Sequence, residues 1–202
     1  MVDFGTTNSM PWRTVLTMTA PAQSVTHVSK FHQLLDAQVR NEMTASQQYI
    51  AVAVWFDDKD LPQLAKHFYR QALEERNHAM MIVQYLLDKG DKPTIQGIDE
   101  VRNEFSTADE LVALALEQEK EVTTEINALV RAARAEDDYQ GEQFLQWFLA
   151  EQVEEVASMD TLLNVIKRAN GNLFDVENFL AREAVGDEGS DPSAPRAAGG
   201  SV

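Results

Sequence analysis

An all-α fold is predicted: a four-helix bundle with one long crossover and a short fifth helix. Three observations predict it. Four segments of roughly 27 to 31 residues carry apolar residues at helical spacing, and no stretch alternates as a strand does. The links between the first and second segments and between the third and fourth are only a few residues long, which makes each pair antiparallel neighbours. The link between the second and third is about 17 residues, unusually long for a helix connection.

The first helix is read from about His27 to Asp57. The second runs from Leu61 to Lys89, with Asp60 as the expected N-cap and Pro62 tolerated in the first turn. The segment Gly90 to Ser106 follows. A 28-residue helix is about 42 Å long, and about 17 extended residues reach about 56 Å. The segment can therefore cross the bundle lengthwise and leave the second and third helices parallel. The third helix, about Ala108 to Ala135, is announced by Thr107 and Glu110 as a capping box. The fourth runs from about Tyr139 to Ala169 and is ended by Gly171. A short amphipathic helix, Leu173 to Arg182, presents Leu173, Val176, Phe179 and Leu180 on one face. Because a four-helix bundle already fills its own core, that face is expected at a subunit contact.

With 44% hydrophobic residues in 202, the chain can bury one good core, so residues 27–183 are read as one domain. Residues 1–26 lack the apolar core of a secretory signal and are expected to be a disordered extension, with Met18 offering an alternative start. Residues 184–202, rich in Gly, Ala, Ser, Pro and acids, are expected to be a disordered tail. The formal charge of −16 argues against nucleic acid and anionic membrane as partners and favours cations. The longest apolar run, Ile50 to Phe56, is too short to span a bilayer. With no cysteine, any metal must be held by carboxylate, imidazole or amide groups. A cytoplasmic home fits.

Each helix seam is apolar except near its middle. Glu42 interrupts the first, Glu75 and His78 the second, Glu119 the third, and Gln152 with Glu155 the fourth. Glu75 and His78 are spaced so that both side chains leave one helix face. Counted from the first turn, Glu42 and Glu75 lie at equal depth, about 21 Å along the bundle. For any single position a buried ion pair with Lys or Arg, or a satisfied core histidine, is the commoner arrangement. The set departs from it, since no seam carries Lys or Arg. Uncompensated buried carboxylates would cost several kcal/mol each or hold their protons. Metal ions remove that penalty by displacing the protons, and oxygen donors with imidazole suit iron.

The segments Asn41–Tyr49, Glu74–Ala79, Leu116–Lys120 and Gln146–Glu155 together resemble the bacterial-type, non-haem ferritins over about Phe31 to Arg182. The resemblance implies a homo-oligomeric shell of about 24 subunits that oxidises Fe(II) with O2 or peroxide at a dinuclear site in each subunit and stores Fe(III) as a mineral. It implies one iron at Glu42, Glu75 and His78, and a second bridged by Glu75 to Glu119 and bordered by Gln152 and Glu155. A looser outer site would use Glu74, Glu151, Glu154 and Glu155. Tyr49 or Trp147 would supply an electron, and Glu155 is grouped with Tyr49 as a catalytic candidate. Haem is not expected, because Arg76 stands where haem-binding relatives carry methionine; Met80 and Met81 are read as packing residues. The alternative is a di-iron or di-manganese oxidase of the same fold without storage. A further expectation is that the tail docks the assembly into a larger protein compartment.

Overall fold

The computed structural model describes residues 29–183 and 191–202. The expected N-terminal extension and residues 184–190 of the tail lie outside the described residues. Five helices are present: α1 (Lys30–Asp57), α2 (Pro62–Asp88), α3 (Ala108–Ala135), α4 (Tyr139–Ala169) and α5 (Leu173–Glu183). α1 packs on α2 and α3 on α4, with α1 also touching α3. Among the described residues no helix is long and apolar enough to cross a membrane.

Residues 90–106 form the lengthwise crossover, and side chains of α1 satisfy its backbone. The Thr94 amide donates to Asp36 (3.2 Å), the Asp99 amide to Thr44 Oγ1 (3.2 Å), and Gln48 exchanges two 2.8 Å bonds with Arg102. At the far end Trp55 Nε1 donates to the Phe105 carbonyl at 3.2 Å. An extended strap without a sheet partner would otherwise leave these amides to water alone. Its course returns the chain to the starting end of α2, which makes α3 parallel to α2.

Two expectations need correction, one about the start of α2 and one about where α5 packs. Asp60 is not the N-cap of α2; Leu61 holds that position and makes no side-chain cap bond. The tight α1–α2 turn forces Asp60 to φ 56°, in the left-handed region. The free amides of Gln63 and Leu64 are instead taken by the Glu177 carboxylate, each at 2.9 Å. Glu177 belongs to α5, so the fifth helix caps the second, and a carboxylate there also meets the favourable end of the helix dipole. α5 accordingly packs within its own subunit: Val176 is fully buried, with Leu173 and Leu180 against the same core. Phe174, by contrast, is 77% exposed. Thr107 caps α3 as expected, its hydroxyl accepting from the Glu110 amide.

Residues 191–202 are the described part of the expected tail. They lie on α2 and α4, where Ala194, Ala197 and Ala198 pack on the lower core. The Ala198 amide donates to the Met80 carbonyl (2.9 Å), Asn77 pairs with both backbone groups of Val202 (3.2 Å each), and Arg196 reaches Asp88 (3.0 Å). Small side chains are what permit backbone to approach a helix this closely, a gain that a composition rule for disorder does not count.

Two apolar clusters fill the bundle. One lies around Phe56, Phe68, Leu111 and Ile166 at the α1–α2 turn end, the other around Phe31, Ile82, Ile126 and Leu145 at the opposite end. Between them sits a polar layer.

Candidate metal centre

The polar layer is built by helix register. Glu42, Glu75, Glu119, Gln152 and Glu155 are all buried, Glu42 and Glu119 completely, and His78 is buried beside them. Among the described residues no Lys or Arg is buried with them. The six groups that the sequence places on the inner seams are thus all in the interior.

Three of them form a chelating set. One ligand atom from each of Glu42, Glu75 and His78 lies within 4.8 Å of the others, so a single ion can touch all three. His78 Nδ1 is 3.3 Å from Glu75 Oε2. Its ring is held edge-on by Trp147 and Phe148, at centroid distances of 5.5 and 5.8 Å. Glu42 Oε2 is buried and receives no N–H or hydroxyl, and the carboxyl meets Glu75 in a contact that needs a shared proton or a cation. Oxygen, oxygen and imidazole donors with an unsatisfied carboxylate oxygen fit a ferrous ion.

Glu119, Gln152 and Tyr49 form a second group joined by hydrogen bonds. The Tyr49 hydroxyl donates to Glu119 Oε1. Gln152 Nε2 lies 3.5 Å from Glu119 Oε2, while the Thr123 hydroxyl lies 2.9 Å from Gln152 Oε1 and 2.8 Å from the Glu119 carbonyl, and its single proton serves one of them at a time. Glu155 is approached by Gln71 Nε2 at 3.5 Å, and the same Gln71 amide donates to Glu74. Glu74 and Glu151 are partly buried and Glu154 is exposed.

Electrostatics follow the crowding. Burial, then repulsion from Glu75, pushes the Glu42 carboxyl well above the usual range. Glu75 is pushed up by burial and then by Glu119 and Glu155, and Glu155 by burial and then by Glu119 and Glu74. Burial raises Glu119 as well, against the lowering hydrogen bonds from Tyr49 and Gln152. Tyr49 is raised by burial and by the Glu119 and Glu75 charges, so it remains a phenol. Burial also raises Glu151. Protons fill the place that a cation would otherwise occupy.

A family model for the ferritin-like domain matches residues 32–169. The chain belongs to the ferritin family. Ferritin BfrB of Mycolicibacterium smegmatis is 61% identical to this ferritin over 174 residues, covering 86% of this chain and 96% of that protein. Ferritin BfrB of Mycobacterium tuberculosis is 58% identical over 172 residues, covering 85% and 94%. A bacterial non-heme ferritin of Staphylococcus aureus shares 35% over 136 residues, 67% of this chain and 82% of that one. Among solved structures, the open pore ferritin of Archaeoglobus fulgidus superposes with a TM-score of 0.73 at 26% identity, covering 76% of this chain and 94% of that chain. A humanized archaeal ferritin gives 0.75 at 27%, covering 80% and 98%.

Seam reading missed four residues around the centre. Gln38 and Gln71 lie on the seams and were assigned no role, though an amide among carboxylates is a usable signal. Thr123 and Glu125 lie off the seams, and only the packing of α3 against α1 and α4 reveals them.

Proposed function

We propose that this ferritin is an iron-storage ferroxidase. The observation that carries the reading is the convergence of Glu42, Glu75 and His78 in the bundle interior with no Lys or Arg among the described residues buried beside them. Such acids are costly unless an ion balances them. Fe(II), as substrate, would bind first to these three residues. A second Fe(II) would be bridged by Glu75 to Glu119, with Gln152 and Glu155 at its border. Two ions sharing a carboxylate can pass two electrons to one dioxygen or peroxide molecule without releasing a one-electron product.

The chain's own groups have separate tasks in this scheme. The raised carboxyls release protons as the ions bind. Tyr49, hydrogen-bonded to Glu119, would supply a further electron to the oxygen being reduced while its hydroxyl proton passes to that carboxylate, and the neutral tyrosyl radical so formed would return to the phenol with an electron from a later Fe(II) and that same proton. Gln152 is neutral and binds its ion less firmly than a carboxylate would, which favours release of the ferric product. Glu74, Glu151, Glu154 and Glu155 lead outward from the pair and would receive that product. The 61% identity to a ferritin supports assembly into a hollow homo-oligomer of about 24 subunits, working in the cytoplasm.

The test is anaerobic Fe(II) loading of the purified protein, then oxygen, followed by size-exclusion chromatography. A large shell should emerge holding far more iron than its buried sites alone can bind. A small species that stops at the capacity of those sites would favour a di-iron oxidase without storage. Capture of the tail by a surrounding protein compartment is a separate proposal, and it requires residues 191–202 to leave the α2–α4 face. Unchanged enclosure after their deletion would exclude it.

A further inference from the structure

Gln38 sits one helical turn before Glu42 on α1 and is 3% exposed. Its amide nitrogen lies 3.0 Å from Glu42 Oε1 and 3.0 Å from Glu125 Oε2 on α3. A primary amide nitrogen carries two N–H bonds, and here each has a carboxylate acceptor. The flipped amide would aim its carbonyl lone pairs at two carboxylates, so chemistry alone fixes the orientation. Glu42 is thereby left asymmetric, with Oε1 tied to the Gln38 amide and Oε2 receiving no N–H or hydroxyl, the carboxyl being in hydrogen-bond contact only with Glu75 besides.

We propose that Gln38, held by Glu125, is a positioning residue that makes Glu42 offer a single oxygen, Oε2, to the first iron. Without the amide, Glu42 can rotate and present both oxygens or neither. Glu125 acts through Gln38: with one N–H anchored on α3, the amide cannot turn away from Glu42. Glu125 also lines a surface groove with Glu117, Lys120, Glu121 and Thr124. A different role, attracting cations electrostatically from that groove, therefore has to be separated from positioning. The inference rests on the ferroxidase reading for the identity of the first site.

The experiment uses the full chain, metal-free and anaerobic, titrated with Co(II) by calorimetry and followed through its visible absorption bands. Wild type is compared with Q38L, E125L, E125Q and Q38L/E125L. Loss of a residue orienting a metal ligand weakens binding about 10- to 100-fold. Q38L should fall in that range and shift the Co(II) bands, because the coordination of Glu42 changes. E125L should weaken binding less, and E125Q, whose carbonyl still accepts, should restore the wild-type spectrum. The double variant should be no worse than Q38L. Wild-type affinity and spectrum in Q38L would overturn the proposal. So would an E125L effect of full size in the Q38L background, which would make Glu125 a groove charge. If Q38L fails to assemble, the comparison of E125L with E125Q decides: equal spectra overturn the positioning role. A wild-type protein that takes up no Co(II) removes the ferroxidase reading itself, and this proposal with it.

Discussion

Replacing Glu42 with Gln should stabilise the metal-free protein at neutral pH while destroying the first metal position. The Glu42 carboxyl is held well above its usual range by burial and then by Glu75. In the unfolded chain it loses its proton above about pH 4.3, while in the fold it keeps it. Over that interval the native state binds more protons, so stability is full below the unfolded value and declines as pH rises toward the folded one. One such group lowers stability by about 1.4 kcal/mol for each pH unit between the unfolded value and the raised folded one. Against a domain stability of about 5–15 kcal/mol, each such unit lowers Tm by about 3–6 °C for a chain of this size. The lowered carboxylates Glu110, Glu136, Asp138 and Glu142 act on the acid side instead. They are ionised in both states through this window and add no slope. E42Q keeps the shape and can still accept from Gln38, but it cannot titrate. Thermal unfolding of the metal-free proteins should show wild type falling away from E42Q as pH rises, and Co(II) should flatten the wild-type curve by displacing the proton. Parallel metal-free curves would refute the claim that Glu42 is buried as an acid.

Other expectations follow from single contacts. Y49F keeps the ring that packs 5.8 Å from Phe68 but removes the donor to Glu119; it should cost about 1.5–3 kcal/mol in denaturant unfolding of the metal-free protein, and a change under about 0.5 kcal/mol would count against that bond. Q152E adds a charge beside Glu119 and should slow oxidation on repeated Fe(II) additions after a normal first one, which stopped-flow absorbance would detect. G141A places a Cβ 2.9 Å from Phe31 Cζ and still closer to Cε1, and overpacking of this kind should cost about 1–3 kcal/mol, read from the urea midpoint. Deleting residues 191–202 frees the Trp147 indole, whose N–H donates to Asp191 at 2.7 Å, and should shift tryptophan emission to the red; unchanged emission would show that the tail does not rest there in solution.

The helices were legible because periodicity reports burial directly. The buried polar layer was legible because Glu42, Glu75 and Glu119 violate that periodicity where no Lys or Arg on the seams could excuse them. A local rule broken in the same layer of every helix is a functional signal, since no single helix gains from it. What stayed hidden depends on a partner from another helix. Asp60 looked like a cap, but the geometry of the α1–α2 turn removed it and brought in Glu177 from more than a hundred residues away. Glu125 carried no signal in the sequence, and only the packing of α1 on α3 sets Gln38 against it.

The same distinction explains why the outer carboxylates are harder to assign than the inner ones. Glu42 and Glu119 are completely buried, so their burial alone demands an ion or a proton. Glu154 is exposed and can be satisfied by water, so its position demands nothing. Glu74 lies between these cases: it is partly buried, bonded to Gln71, and its charge raises Glu75, Glu119, Glu151 and Glu155 together. A cation leaving the buried pair toward Glu74 would relieve all four repulsions at once. The gradient of desolvation therefore runs from the buried carboxylates toward Glu74 and Glu154, the direction in which the proposed ferroxidase would release its product.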